Sequence, residues 1–255
     1  MGTLDTLIKK IENAKNLDFG TILSASIELF KKVWVQGLVM LLLNILMMLP
    51  FYILMYLPLL GMGLYDPESF SQGGDFNMAL LIPFYTMVLV FSFFAMVINF
   101  GLKSAFFRIC KAKDFNEATR DDYFYFFKKP YLMQTIKLSV ISFGIAVLAT
   151  LLCFLPIIYA IVPLSLINVI FAFNPEMAVS DVVKLSFKLG NKKWLITFGL
   201  IFVAGFLAQI VGMLLCFVGV VVTTSFAYIP LYFIYKDVIG FDDVDVIDEI
   251  GTVVE

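Results

Sequence analysis

Histidine is absent from the sequence of 255 residues. The chain therefore lacks the side chain that most often serves as a general base near neutral pH and as a metal ligand. Charged residues are also scarce, at 15% of the chain compared with about 25% in typical soluble domains. The three cysteines, Cys110, Cys153 and Cys216, lie far apart in or beside apolar runs, which predicts no disulfide framework. We therefore expect neither a bound metal nor a cofactor.

Apolar residues are abundant instead. Hydrophobic residues make up 61% of the chain and aromatic residues 16%, and the mean hydropathy is +0.96. A soluble domain contains about 45–50% apolar residues. A chain of this length cannot hide such an excess in one soluble core, because much of any compact chain faces its solvent. The composition predicts an integral membrane protein, and the long apolar runs predict an all-α fold.

Four stretches contain no Asp, Glu, Lys or Arg: residues 33–65, 76–102, 138–175 and 194–235. A helix of about 20 residues crosses the hydrocarbon core of a bilayer. The first two stretches each fit one crossing, and the last two are each long enough for two. Pro156 and Gly219 lie near the midpoints of the long stretches, where a turn is needed. The sequence thus predicts six transmembrane helices, over residues 33–60, 78–102, 136–155, 157–173, 194–215 and 219–236.

The positive charges favour six crossings over four. With six, all 18 Lys and Arg residues lie on one side of the membrane, and the opposite connections contain only Asp66, Glu68 and Asp75. Lysine and arginine accumulate on the cytoplasmic side of membrane proteins. We therefore predict a multi-pass protein of the cell inner membrane with both termini in the cytoplasm.

The two ends of the chain differ from the apolar middle. Residues 1–16 are predicted to form a cytoplasmic amphipathic segment, residues 17–236 the membrane domain, and residues 237–255 an acidic cytoplasmic tail. This tail has seven acidic residues and no Lys or Arg, which favours a solvated segment. The alternative is that its VDVID alternation adds a strand to a partner protein. Membrane lipids are the expected partners, and we expect no binding of nucleic acid.

A lysine pair followed by a large aromatic residue occurs three times, in ELFKKVW, FFKKPY and LGNKKW. Each copy precedes an apolar run and follows a segment with apolar residues at helical spacing, over residues 17–32, 115–129 and 175–193. Amphipathic helices of this kind lie in the membrane interface, with lysines beside headgroups and aromatic residues anchoring the next span. The predicted headgroup contacts are Lys31, Lys32, Lys128, Lys129, Lys192, Lys193, Trp34, Tyr131 and Trp194.

Two explanations of this repetition stay open. In the first, residues 17–109, 115–174 and 175–236 are three parallel copies of one unit, each an interfacial helix followed by a transmembrane hairpin. In the second, any cytoplasmic start of a span favours lysine beside an aromatic residue, and the copies share no origin.

Two segments carry a resemblance to known proteins: NPEMAVSDVVKLSFKLGNKKW from Asn174 and LLCFVGVVVTTSFAYIPLYFIYKDVIG from Leu214. The chain resembles a loose superfamily of bacterial inner-membrane proteins that includes the membrane domain of some glycerophosphodiester phosphodiesterases. The segment FGLKSAFFRICKAKDFNEATRDDYFYFF, from Phe100, is similar to the middle connector of that superfamily. Ser225 stands near a position where many relatives have proline, so the kink of the last helix is expected at Pro230 instead. The resemblance implies a polytopic helical bundle and no agreed activity.

Apart from Lys137 and Lys236, which stand at the ends of their spans, the predicted spans contain no Asp, Glu, Lys, Arg or His, although intramembrane enzymes and coupled transporters usually have such residues. We therefore expect no enzymatic activity. Asn99, Asn168 and Gln209 are candidates for binding a lipid or an amphiphile, and the alternative is that they form hydrogen bonds between helices. The predicted function is to bind lipid or an amphiphile, or to scaffold a membrane complex. The alternative function is uncoupled or partner-driven transport of a lipid or small solute.

Overall fold

A computed structural model of the chain describes residues 4–61, 81–152, 155–215 and 218–241. Within these ranges every regular element is helical. The helices are α1 (Leu4–Glu12), α2 (Phe19–Gly61), α3 (Leu81–Asp114), α4 (Lys129–Leu151), α5 (Leu155–Phe173), α6 (Val179–Lys192), α7 (Trp194–Leu214), α8 (Val218–Thr223) and α9 (Ile229–Val238). Two short 3₁₀ helices cover Tyr125–Phe127 and Thr224–Tyr228. Three parts of the sequence analysis lie outside the described residues. They are the predicted external loop with Asp66, Glu68 and Asp75, the two cysteines Cys153 and Cys216, and the tail from residue 242.

Five helices are long and apolar enough to cross a membrane: Phe19–Leu54 in α2, Tyr85–Asp114 in α3, and then Lys129–Leu151, Pro156–Phe173 and Trp194–Leu214. Large apolar side chains stand on their outer faces, and Leu46, Leu148 and Leu195 are 62%, 63% and 78% exposed. Apolar side chains on this scale are stable where their surroundings are hydrocarbon and not water. The all-α fold is confirmed, and the five helices indicate a multi-pass membrane protein.

Small residues on α7 allow α8 to pack closely against it. Ala204, Ala208 and Gly212 are buried, and a Cβ on Gly212 would lie only 2.6 Å from the Cα of Val220. The hydroxyl of Thr223 donates a hydrogen bond of 2.7 Å to the carbonyl of Ala208. Small residues four apart let two backbones approach, and a polar side chain then joins them, as is common between helices in membranes.

The last predicted crossing, residues 219–236, is not one helix. It consists of α8, the 3₁₀ helix Thr224–Tyr228 and α9. Ser225 in the 3₁₀ helix is fully buried against Gly37 of α2, where an added Cβ would lie 2.5 Å from the Ser225 Cβ. Pro230 stands in the first turn of α9, where its missing N–H removes no helical hydrogen bond. The break therefore precedes the proline and coincides with the close contact with α2.

The three predicted amphipathic segments differ in structure. The first, residues 17–32, belongs largely to α2, which continues through the lysine pair without interruption. The second, residues 115–129, contains only a 3₁₀ turn before α4, so the prediction of a helix there is wrong. Asn116 has a φ of 53°, a left-handed conformation that ends α3 and cannot continue a right-handed helix. The third segment forms α6.

The apolar face of α6 packs against the protein and not outward. Its fully buried residues include Val182, Leu185 and Leu189. Gly190 lies so close to α5 that an added Cβ would be 3.2 Å from the Cα of Pro163. α1 packs on α6 in turn, and Glu12 at its end forms an ion pair of 2.5 Å with Lys188. Neighbouring helices therefore cover much of the apolar stripe from which we predicted contact with lipid.

Candidate functional site

The C-terminal ends of α3, α5 and α9 meet through polar contacts. Asp114, the last residue of α3, accepts hydrogen bonds of 2.6 Å from both Tyr232 and Lys236. Asn174, which follows α5, donates one hydrogen bond of 2.8 Å to the Tyr235 hydroxyl and another of 3.0 Å to the Ile170 carbonyl. Carboxylate and amide groups at helix ends thus hold three helices in a fixed arrangement.

A cleft of about 390 Å³ opens between these helix ends. It is lined by Leu7, Arg108, Ile109, Lys111, Ala112, Glu117, Thr119, Arg120, Asp121, Asp122, Tyr125, Phe173, Asn174, Tyr235, Ile239, Gly240 and Phe241. We call it the arginine cleft, because both arginines of the chain line it. The other 16 basic residues are lysines, and of these Lys111 lines the cleft. Its volume lies in the range of small-molecule pockets, roughly 300–1,000 Å³.

Two reversals of the chain close the arginine cleft. After α3, the left-handed Asn116 turns the backbone, and the Glu117 N–H donates a 2.7 Å hydrogen bond to the Ala112 carbonyl. After α9, Gly240 adopts a φ of 75°, which glycine does without strain. Phe241 then folds back, with its ring 4.8 Å from that of Phe173. The two turns keep the side chains that follow them, those of Glu117 and Phe241, at the cleft. An extended backbone would carry these side chains away from it.

Arg108 is the best-positioned cation of the arginine cleft. Its side chain is half-buried, and its guanidinium lies over the Tyr125 ring at 4.0 Å from the ring centre. One N–H contacts the Ala172 carbonyl at 3.5 Å. Tyr125 is itself held against Tyr131, with ring centres 4.9 Å apart and a hydroxyl contact of 3.0 Å. The ring and the carbonyl fix the guanidinium plane and leave most of its N–H donors available.

Neither arginine forms an ion pair with a carboxylate in the part of the chain that the structure describes. The nearby aspartates have other cations: Asp121 lies 3.3 Å from Lys113, and Asp122 lies 2.5 Å from Lys128. Asp121 also accepts a 3.2 Å hydrogen bond from Gln36. A molecule in the cleft would therefore meet two guanidinium groups whose charge no described carboxylate balances.

Burial, together with the hydrogen bond to Tyr131, raises the pKa of Tyr125 above its ordinary value. The phenol is therefore neutral at physiological pH and adds no negative charge beside Arg108. Cations also stand over Phe241 and Phe115, at 4.7 Å for Lys111 and 4.9 Å for Lys236. The cleft combines positive charge with aromatic walls, an arrangement suited to binding an anionic group.

The three predicted ligand residues do not meet in the arginine cleft, and none of them lines it. Asn99 on α3 and Gln209 on α7 are exposed on the outer surface. Asn168 on α5 is half-buried, and its side-chain oxygen Oδ1 is buried without a hydrogen-bond partner among the described residues. The backbone carbonyl of Asn168 accepts a 3.4 Å hydrogen bond from Ser104.

Some of the predicted headgroup residues are exposed at the surface, and others are bonded to or packed against other parts of the protein. Lys32, Lys129 and Trp34 are exposed, and Lys31 is exposed while paired with Glu28 at 2.6 Å. Lys128 forms the ion pair with Asp122 described above. The first group lies on the surface, where contact with lipid headgroups is open to it.

The remaining headgroup candidates stabilise the fold. Lys193 is only 7% exposed and donates a 2.6 Å hydrogen bond to the Lys15 carbonyl, and burial lowers the pKa of its amine. Lys192 donates to the carbonyl of Glu12. Trp194 donates a 3.1 Å hydrogen bond to the Tyr159 carbonyl and stacks on Phe198. Tyr131 is half-buried beside Tyr125. Because Lys193 is buried, it does not reach the outer surface.

Sequence reasoning missed the arginine cleft, although one signal for it was present. Only two of the 18 basic residues are arginines, and both lie between positions 108 and 120. Arginine and lysine are not interchangeable where planar, bidentate recognition of an anion is required. Asn174 and Phe241 gave no comparable signal, because their role depends on the meeting of helix ends that are distant in sequence.

Among the described residues, no group of three or more His, Cys, Asp or Glu side chains is arranged to hold a metal ion. The residues of the arginine cleft can bind and orient an anion, and they can balance its charge. Comparisons of the chain with protein-family models, with curated proteins and with solved structures give no match. The resemblance to the superfamily of polytopic inner-membrane proteins stays a prediction from its motifs.

Proposed function

We propose that this protein crosses the inner membrane six times and binds the phosphate of a lipid headgroup in the arginine cleft, without catalysing a reaction. The observation that carries the proposal is that the chain's only two arginines line one cleft and have no carboxylate partner among the described residues. The cleft also lies among helix ends rich in lysine, as expected for the cytoplasmic side of a membrane protein.

The position of α9 supports a sixth crossing. The ion pair between Lys236 and Asp114 and the hydrogen bond between Tyr235 and Asn174 bring the end of α9 to the ends of α3 and α5. A chain that leaves this side through α7 must cross again to return there, and only α8, the 3₁₀ helix and α9 connect the two points. A crossing that is partly 3₁₀ is tolerated where protein surrounds it, and Ser225 is fully buried.

The chemistry of arginine supports phosphate as the bound group. A guanidinium presents parallel N–H donors that match two oxygens of a phosphate, which gives both geometry and charge. Hydrogen bonds to charged groups contribute about 1.5–3 kcal/mol each. The ring of Tyr125 holds the Arg108 guanidinium in one plane before a ligand arrives, which lowers the entropy lost on binding.

The exposed lysines support attachment to an anionic membrane surface. Lys31, Lys32 and Lys129, together with Trp34, stand on the surface beside the predicted starts of spans. Each basic residue near such a surface contributes roughly 1 kcal/mol before screening by salt. We propose that these side chains contact headgroups in general, whereas the arginine cleft binds one headgroup specifically. The acidic tail is the proposed site for a protein partner if the protein scaffolds a complex.

Uncoupled or partner-driven transport is the second candidate function. Its support is the interrupted last crossing together with the buried, unpartnered Oδ1 of Asn168. Interrupted helices line substrate sites in many transporters. Here, however, Ser225 at the interruption packs against Gly37, so packing accounts for part of the break. Uptake of lipid or solute by liposomes containing only the purified protein would favour transport over binding.

Lipid retention tests the binding proposal. The protein would be purified from membranes containing phosphatidylethanolamine and phosphatidylglycerol, and bound lipids counted by native mass spectrometry. We expect Arg108→Gln with Arg120→Gln to lower specific lipid retention about tenfold or more, because two charge-assisted contacts are lost. The matched control is Lys137→Gln with Lys184→Gln, which removes two exposed positive charges outside the cleft.

The control separates a specific site from general attraction. Equal retention by the wild-type protein and the arginine variant, at unchanged thermal stability, would contradict the proposal. An equal loss in the lysine control would also contradict it, because net charge alone would then explain binding. Arg120→Gln alone is the safeguard against misfolding, since Arg120 is exposed and none of the ion pairs among the described residues involves it.

A further inference from the structure

We infer that the headgroup bound in the arginine cleft carries a primary amine as well as a phosphate, as in phosphatidylethanolamine. This inference rests on the proposed function and adds the class of headgroup to it. The observation behind it is a third unbalanced charge in the cleft. Glu117 lines the cleft together with both arginines and forms no ion pair in the part of the chain that the structure describes.

The other two carboxylates of the cleft are already balanced. Lys113 and Lys128 pair with Asp121 and Asp122, and neither of these lysines lines the cleft. A ligand therefore meets the charges of Arg108, Arg120 and Glu117, beside Lys111, which stands over the Phe241 ring. A phosphodiester that also carries an ammonium group places one negative charge, spread over two oxygens, against the two arginines and one positive charge against Glu117. A headgroup that is only anionic leaves the Glu117 carboxylate unbalanced and close to its own negative charge, which disfavours it.

The turn after α3 directs the segment that carries Glu117 and Arg120. The Glu117 N–H binds the Ala112 carbonyl at 2.7 Å, and the left-handed Asn116 precedes it. This is the 6→1 hydrogen bond of a Schellman-type helix end, which sets the direction in which the chain leaves the helix. Glu117 and Arg120 thus stand on one short connecting segment, and both line the cleft together with Asn174 and Tyr235. One end of the ligand can meet an acid while the other meets a guanidinium.

The cleft has room and suitable walls for this ligand. Its volume of about 390 Å³ is enough for a phosphoethanolamine group. Tyr125 and Phe241 contribute aromatic faces, which attract a cation when no other cation covers them. In the structure these faces carry Arg108 and Lys111, so the carboxylate of Glu117 is the group assigned to the ligand amine.

Competition between two lipids in nanodiscs tests this inference. We expect the wild-type protein to retain phosphatidylethanolamine about threefold more strongly than phosphatidylglycerol, the discrimination expected of one solvent-accessible ion pair. Glu117→Gln should remove this preference and leave phosphatidylglycerol retention unchanged or higher. Asp5→Asn is the control, because Asp5 is an exposed carboxylate on α1 that does not line the cleft, and it should keep the preference.

The outcomes separate the two proposals. A wild-type protein that retains phosphatidylglycerol as well as or better than phosphatidylethanolamine overturns the amine inference, whereas the proposed function stands if the arginine variants lose both lipids. If the arginine variants lose neither lipid, the proposed function fails as well. Soluble glycerophosphoethanolamine provides a further arm. If this compound binds as tightly as the lipid, the cleft recognises the amine and phosphate of a soluble ligand. If only the lipid binds, the cleft recognises the same groups on a membrane lipid.

Discussion

Single glycines decide how closely helices approach in this bundle, and Gly37 of α2 is the clearest case. A Cβ there would lie 2.1 Å from the Oγ and 2.5 Å from the Cβ of Ser225. Rotation of the serine can relieve the first contact but not the second, so one backbone must move. The same contact accounts for the small residue at position 225.

We predict that Gly37→Ala destabilises the protein by about 1–3 kcal/mol, the usual cost of overpacking a tight contact. Thermal unfolding in detergent would measure this loss. Adding Ser225→Gly should restore part of the stability, because it removes the Cβ that the alanine meets. Gly205→Ala is the control, since nothing lies within 4 Å of an added Cβ there. If Gly37→Ala and Gly205→Ala are equally stable, the helices do not meet as described.

Arg108 allows a second prediction at the scale of one residue. Arg108→Lys keeps the positive charge but loses the planar set of donors and the guanidinium stacking on Tyr125. We expect lipid retention between that of the wild-type protein and that of Arg108→Gln, at least threefold below the wild type. Titration of lipid into delipidated protein would measure it. Full retention by the lysine variant would mean that charge alone, and not geometry, matters at this position.

In amphipathic elements, the spacing of apolar residues predicts a helix more reliably than it predicts whether lipid or protein covers the apolar face. The stripe of α6 was correctly expected to be helical, yet Val182, Leu185 and Leu189 pack inside the protein. A hydrophobic stripe requires an apolar environment, and either lipid or α5 provides one. Conversely, residues 115–124 have apolar residues at helical spacing but do not form a helix, because Asn116 reverses the chain and local hydrogen bonds replace helical ones.

The contact between α1 and α6 should depend on pH. Lys188 beside Glu12 lowers the pKa of that carboxyl below its ordinary 4.5, first through their hydrogen bond and then through charge. A lowered folded-state pKa means that the contribution to stability is present above 4.5 and is lost as the pH falls below that value. We expect faster amide exchange in α1 at low pH than near neutral pH, after correction for intrinsic rates.

Glu12→Gln is the control for this pH dependence. The amide cannot titrate, so the variant should show weakened protection of α1 at all pH values and no further loss in the acidic range. The effect should be small, because the pair is exposed to solvent and salt. Protection of the wild-type α1 that stays constant from neutral pH to well below 4.5 would show that the ion pair does not hold the helix.

Across the whole molecule, composition and charge made the membrane character predictable, whereas the arginine cleft was not. Each long apolar run indicates a membrane helix by itself, because its own residues require an apolar environment whatever the rest of the chain does. The cleft requires three helix ends and a turn to meet, and no local pattern encodes that meeting of Asp114, Asn174 and Lys236. The break at Thr224–Tyr228 was missed for the same reason, since its partner Gly37 lies in another helix.

Topology provides the prediction at this scale. With the native cysteines removed, a cysteine at position 71 and one at position 188 should react with impermeant reagents from opposite sides of the membrane, because six crossings put every basic residue in the cytoplasm. Position 71 lies in the predicted external loop and position 188 in α6. Labelling of position 188 from the outside would contradict six crossings.

The most direct test of the central claim is to find where a bound headgroup lies. A phosphatidylethanolamine analogue with a diazirine near its glycerol would be photo-cross-linked to the protein in nanodiscs, and the modified peptides mapped by mass spectrometry. We expect cross-links concentrated in residues 108–125 and 235–241, reduced at least severalfold by Arg108→Gln with Arg120→Gln. Cross-links confined to the outer faces of α2 and α7, with the same pattern in the arginine variant, would contradict it.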